Sequence, residues 1–153
     1  MYDQLHGGDD GRTLSSSLYF RSLLESIGAS YLPGSVKMRE RIQDIALECR
    51  FATSLGIIVG ELVLNACKYA FPPGRGGTIG IEFARDERGV LSLMVSDDGI
   101  GVEASRARQG PSVRGGVGLD LVRSLVAQEK GALEMASGGE GTVISIRFPM
   151  GGP

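Results

Sequence analysis

Residues 60–72 read GELVLNACKYAFP. The run is apolar enough for a buried helix, yet it carries a glutamate, an asparagine and a lysine. At about 3.6 residues per turn, Glu61, Asn65 and Lys68 stand at i, i+4 and i+7 and share one stripe. Such a stripe is either the solvated face of a core helix or a polar face turned to a ligand. The helix is expected over 52–71, stopped by Pro72-Pro73-Gly74.

Before it, SLYFRSLLESIGASYL places Leu18, Leu23, Leu24, Ile27 and Tyr31 at helical spacing, ending near Pro33-Gly34. The alternation Ile45, Leu47, Cys49 predicts a strand. After the long helix, Ile79, Ile81, Phe83 and Leu91, Leu93, Val95 recur at period two around the turn-forming RDERG and predict a hairpin. Residues 99–118, GIGVEASRARQGPSVRGGVG, are glycine-rich with few apolar residues, so a long flexible loop is expected there. Leu119, Val122, Leu125 and Val126 then mark an amphipathic helix stopped at Gly131. ALEMA and TVISIRF around SGGEG read as a second hairpin. This order suits one sheet with helices layered on one face, so the expected class is α+β, a two-layer sandwich.

The chain has 153 residues, one domain's worth, and 42% hydrophobic with 22% charged residues fits an ordinary globular protein. A formal charge of −2 with no basic stripe argues against nucleic-acid partners. Cys49 and Cys67, in an expected strand and helix, read as small buried hydrophobes, which fits a reducing, cytoplasmic setting. The first residues lack the pattern of a signal peptide, and no apolar run is expected to reach the roughly 20 residues that span a bilayer. Membrane contact is not expected. The 24 glycines are well above the usual share of about 7% and ask for a reason.

Three motifs offer one. DDGIG at 97–101 puts a carboxylate at a strand end before two glycines; its plain alternative is an Asp-Gly turn. GGVGL at 115–119 leads into a helix, where free N–H groups can cradle phosphate. GGEGT at 138–142, by itself, reads as a hairpin turn. Neither Gly-x-x-x-x-Gly-Lys-Ser/Thr nor Gly-x-Gly-x-x-Gly after a strand occurs.

Together with ELVLNACKYAF, these motifs resemble in order the N, G1, G2 and G3 boxes of the ATPase superfamily that joins gyrase B, MutL and the sensor histidine kinases, a Bergerat-type fold. NACKYAFPP and GVGLDLVRSLVAQEKGALEMASGGEGTVISIRFP are most similar to bacterial histidine kinases, in particular those whose dimerisation domain differs from the commonest type. The resemblance runs over about 14–149. It implies an ATP-binding catalytic domain over 14–150 after a leader at 1–13, a mixed, mostly antiparallel sheet, and ATP and Mg2+ as cofactors.

The resemblance also implies roles. Asn65 would hold the magnesium ion, Glu61 would act beside it through water or by polarising the attacking group, and Lys68 would touch phosphate. Asp97 would take the adenine amino group, with Gly99 and Gly101 giving the base room. Gly116, Gly118 and Leu119 would line the phosphate end, and Thr142 would support Asp97 or the adenine. Residues 102–115 would form a lid whose Arg106, Arg108 and Arg114 read first as solvated loop charges. The γ-phosphate would go to a histidine on a separate dimerisation domain, and from there to a response regulator. The chain's one histidine, His6, stands in the glycine- and aspartate-rich leader without the expected helical context. The chain is therefore expected to be a kinase's ATP-binding portion, its leader a remnant of the dimerisation helices. The lid also lacks the Phe-containing box of many kinases of the commonest type. The alternatives are an anti-sigma factor serine kinase of the same fold and a degenerate phosphotransfer adaptor.

Overall fold

The computed structural model describes residues 12–109 and 117–149. The elements run β1 (Thr13–Ser15), α1 (Ser16–Tyr31), β2 (Val36–Ile42), β3 (Ala46–Glu48), α2 (Cys49–Asn65), a π-helical turn (Ala66–Ala70), β4 (Gly77–Arg85) and β5 (Leu91–Asp97). They continue with α3 (Val102–Gln109), α4 (Val117–Gln128), β6 (Ala132–Gly138) and β7 (Gly141–Phe148). A five-stranded sheet has the order β2-β4-β5-β7-β6, with β2 parallel to β4 and every other pair antiparallel. β1 and β3 form a separate two-stranded ribbon.

Period-two alternation sends Ile79, Ile81, Phe83, Leu91, Leu93, Val95, Ile146 and Phe148 to one buried face, while Glu82, Ser92 and Arg147 point away from it. The helices cover the apolar face. Phe20 of α1 meets Phe83 edge-on at 5.2 Å and Phe51 of α2 meets Phe148 edge-on at 5.1 Å, the edge-to-face geometry that aromatic quadrupoles favour. Val122 and Val126 of α4 join the same core. α1 starts on Ser15, whose hydroxyl accepts from the Leu18 N–H at 3.2 Å and donates to Asp44 at 2.5 Å.

Four features differ from the sequence reading. The strand expected at 45–49 is only the short β3, and Cys49 begins α2 instead, because Leu47 alone of β3 is buried. β2 carries no such pattern: Lys37, Arg39, Glu40 and Arg41 dominate it, and only Val36 is buried. It is an edge strand, where charges discourage pairing with other chains. Residues 102–109 are helical rather than loop, and of the side chains described there only Ser105 is buried. The fourth concerns membranes. With the π turn, Cys49–Ala70 is a continuous helix of 22 residues, long and apolar enough by composition to cross a bilayer. Most of it is buried inside the fold, as its contacts with α1, α4 and the sheet require of a core helix. Residues 1–11 of the leader, residues 110–116 and residues 150–153 lie outside the described residues.

α4 ends at Gln128, and Lys130 takes the left-handed conformation at φ 61°, so that the Gly131 N–H returns to the Val126 carbonyl at 2.8 Å. Gly131, expected as the stop, is needed for space: a Cβ there would press on Phe148 and the Arg147 carbonyl.

Gly141 supplies a test of backbone packing. Its φ is 123°, and a Cβ would overlap the Asp97 carbonyl, whereas Gly139 has open space around it. Gly141→Ala should lower unfolding free energy by roughly 1–3 kcal/mol from backbone strain, with the overlap adding to that. Gly139→Ala should stay within about 0.5 kcal/mol of the parent. Chemical denaturation of both variants checks the contrast, and equal stabilities would refute it.

Candidate functional site

A cleft opens between the C-terminal part of the long helix and the β5–β7–β6 end of the sheet. Its helical wall is Leu62, Asn65, Ala66, Tyr69 and Ala70. Its floor is Val95 and Asp97 of β5, Thr142 and Ile144 of β7, and Met135 of β6. Gly101, Val102 and Ser105 close one end, and Leu119 of α4 reaches in from the other side. The lining is apolar with a few polar groups, the makeup expected of a small-molecule pocket.

The opening stripe divides here. Asn65 lines the cleft, half-buried, and its amide has no hydrogen-bond partner among the described residues. Glu61 and Lys68 are outside the lining. Lys68 is exposed, with its ammonium 5.9 Å from the Tyr31 ring centroid, over the end of α1. The face toward the cleft runs through Leu62, Asn65, Ala66 and Tyr69, so Glu61 and Lys68 stand to one side of it. The π turn from Ala66 to Ala70 rotates the chain less per residue than an α-helix and turns Lys68 further out. Tyr69, one turn past Asn65, takes the inward place. Its spacing from Asn65 was the available signal.

Asp97 ends β5 at the pocket floor, paired across the sheet with Thr142. Its Oδ1 accepts from the Gly99 N–H at 2.9 Å. Burial pushes its carboxyl above the ordinary value of 3.8; the Gly99 and Thr142 backbone N–H groups pull the other way, Asp98 adds to the rise, and Arg75 opposes it. Asp98 faces elsewhere, accepting from the Thr78 N–H at 2.8 Å at the start of β4.

Gly99 and Gly101 bring backbone against backbone. A Cβ at Gly99 would overlap the Ala70 carbonyl at the end of the π turn, and one at Gly101 would overlap the Gly138 carbonyl. The Ile100 N–H bonds Ala70 O at 3.0 Å across the first of these contacts. At these two positions the missing side chains make room for protein. Gly101 still lines the cleft. Gly118 is in the first turn of α4, while Gly116 and Arg114 lie outside the described residues.

Residues 52–152 match the model of the histidine kinase-, DNA gyrase B- and HSP90-like ATPases. Among curated proteins, the sensor histidine kinase PdtaS of Mycobacterium tuberculosis is 37% identical over 117 residues, covering 72% of this chain and 22% of that protein. Blue-light-activated histidine kinase 2 of Erythrobacter litoralis is 26% identical over 117 residues, covering 76% of this chain and 33% of that one. This chain thus spans a third or less of either relative. In structure, the blue-light activated histidine kinase EL346 of Erythrobacter litoralis superposes with a TM-score of 0.78 at 22% identity, over 90% of this chain and 42% of its own.

The raised pKa of Asp97 has a consequence for stability. A carboxyl that holds its proton to higher pH when folded favours folding fully below pH 3.8, and that contribution is lost as pH rises through the folded value. At neutral pH the ionised Asp97 therefore burdens the empty fold. Asp97→Asn keeps an acceptor oxygen and should raise the melting temperature of the ligand-free protein at pH 7, with the gain vanishing near pH 3. A lower melting temperature at pH 7 would rule this out.

Proposed function

The chain belongs to the histidine kinase-, DNA gyrase B- and HSP90-like ATPase family, and from that premise we propose that it is the catalytic domain of a cytoplasmic sensor kinase. It binds Mg-ATP and donates the γ-phosphate to a histidine on a dimerisation domain, from which a response regulator takes it. The observation that carries this reading is Asp97, a carboxylate at the floor of an apolar cleft, matched to the exocyclic amine of adenine. The curated relatives are named as histidine kinases, which supports a histidine acceptor over the serine of an anti-sigma factor kinase.

Among the described residues no group of three or more His, Cys, Asp or Glu could hold a metal ion. Magnesium suits such a site, because it keeps several waters and takes few protein ligands beside phosphate oxygens. The Asn65 amide at the cleft, without a hydrogen-bond partner among the described residues, fits as that ligand. When bound, the ion supplies charge neutralisation across the phosphates. Glu61, on the helical turn before Asn65 and beside the cleft lining, would orient water or the attacking nitrogen. Lys68 would have to leave Tyr31 to reach phosphate. Tyr69 and Ile144 offer flat apolar contact to a base held by Asp97, with Thr142 beside it. Gly116, Gly118 and Leu119 would line the phosphate end.

At 100 times its dissociation constant, Mg-ATP should stabilise the protein by about 2.7 kcal/mol. For a domain of this size the melting temperature should then rise roughly 5–10 °C. Absence of any shift with millimolar Mg-ATP would remove the proposal. Asn65→Ala should weaken ATP binding more with magnesium than with EDTA; an equal loss in both would exclude the ligand role.

Transfer in line needs an acceptor nitrogen held against the γ-phosphate, and that positioning accounts for much of the rate. His6 has no helical context in the sequence that would hold it there. Incubated with γ-labelled ATP, the isolated chain should stay unlabelled, while an added cognate helical domain bearing the acceptor histidine should gain acid-labile label. Rapid stoichiometric labelling of His6 would contradict this.

A further inference from the structure

The loop Pro72-Pro73-Gly74-Arg75-Gly76, which joins the π turn to β4, is tied down on both sides of Arg75. The Arg75 N–H donates to the Pro72 carbonyl at 2.9 Å, the Arg75 carbonyl accepts from the Ser35 hydroxyl at 3.3 Å, and the Gly77 N–H donates to the Ser35 carbonyl at 3.3 Å. From this anchored backbone the exposed guanidinium of Arg75 donates through Nη2 to the Asp98 carbonyl at 2.7 Å. That carbonyl belongs to the peptide group between Asp98 and Gly99. The N–H of the same peptide donates to Asp97 Oδ1 at 2.9 Å. The group is planar and trans, so its C=O and N–H point in opposite directions. The bonds therefore form one continuous chain from a cation at the surface, through a peptide dipole, to a carboxylate at the cleft floor.

Both bonds act in the same sense. A donor on the carbonyl oxygen polarises the amide and strengthens its N–H as a donor, so hydrogen bonds in series through one peptide reinforce each other. A charged donor does this more strongly than a neutral one. The rest of the turn is already held. The Asp98 N–H donates to the Thr78 carbonyl at 3.3 Å, Asp98 Oδ1 accepts from the Thr78 N–H at 2.8 Å, and Gly99 lies against the Ala70 carbonyl. The Asp98 carbonyl is the group that these contacts leave over, and Arg75 takes it. We propose that Arg75 is a positioning residue that acts through the Asp98–Gly99 peptide, orienting the N–H that holds Asp97 and thereby setting that carboxylate for the ligand. Arg75 itself is outside the cleft lining. The relay stands on the bonds above, and its effect on nucleotide rests on the ATP-binding reading.

The relay is tested first without nucleotide. Among the described residues the charges acting on Asp97 are those of Asp98, which disfavours ionisation, and Arg75, which favours it. Arg75→Met keeps the length of an exposed side chain while removing its donor and its charge. The Asp97 carboxyl, followed by carbon-13 NMR in the ligand-free chain, should then titrate at higher pH than in the parent, and the Gly99 amide should exchange faster. Arg75→Lys, which keeps a charged donor, should return both toward the parent. The second measurement is calorimetry with Mg-ATP. Arg75→Met should bind roughly three- to tenfold more weakly, the range of one hydrogen bond from an exposed charged group. In an Asp97→Asn background the same substitution should cost less than about twofold, because the charged acceptor at the end of the chain is gone. A clasp that only stiffens the loop would lower affinity equally in both backgrounds and leave the titration of Asp97 unmoved, and either result would overturn the proposal. Where Asp97→Asn binds too weakly to measure, the titration decides. If the parent binds no ATP while the titration of Asp97 still responds to Arg75, the ATP-binding reading fails and the relay stands.

Discussion

The site depends on backbone meeting backbone without side chains between. The turn after Asp97 is wedged between the end of the long helix and the β6–β7 hairpin, with Gly99 against the Ala70 carbonyl, Gly101 against Gly138 and Gly141 against Asp97. Each contact is closer than a Cβ permits, so the three segments converge only because all three positions are glycine. Asp97 is thereby held at the floor of a cleft whose other wall is the helix bearing Asn65 and Tyr69. An alanine at any of the three would push one wall away from the others before it touched a ligand.

Asp97 and its neighbours divide recognition from stability. Burial disfavours the ionised carboxylate, and among the described residues backbone N–H groups and the charge of Arg75 offset that. An amine donor from a bound base would supply the missing partner, so the group that weakens the empty fold is the one a ligand satisfies. The hydroxyl pair of Ser137 and Thr142 sits across the strand pairing from it and extends the polar network to the first residue of α3. A single cluster of short hydrogen bonds thus spans the floor and one end of the cleft. The π turn acts on the opposite wall, bringing Tyr69 inward and leaving Lys68 over Tyr31.

The strongly periodic elements were legible from the sequence. The alternation Ile79, Ile81, Phe83 and Leu91, Leu93, Val95 became β4 and β5, and the apolar run after Cys49 became the core helix, because burial on one face demands that pattern. β2 escaped detection because its job at the sheet edge favours Lys37, Arg39 and Arg41 over apolar alternation. α3 is not legible because VEASRARQ has almost no apolar stripe to read. The boundary at Cys49 was misread because Leu47 and Cys49 alternate as a strand would, while the chain turns into the helix between them.

By itself the sequence determined the order of the main elements, the apolar faces that meet in the core, and the short motifs that mark the family, since all of these are local in the chain. Only the tertiary structure decided which polar residues share the cleft. Asn65, Asp97 and Thr142 come together there, and Glu61 and Lys68 stand aside, because the helix's rotation against the sheet is set by packing across its whole length and by the π turn. The pairing of Ser137 with Thr142 and Val102 was likewise invisible, because it joins a hairpin to a helix 35 residues away in sequence through contacts that exist only once the sheet has closed.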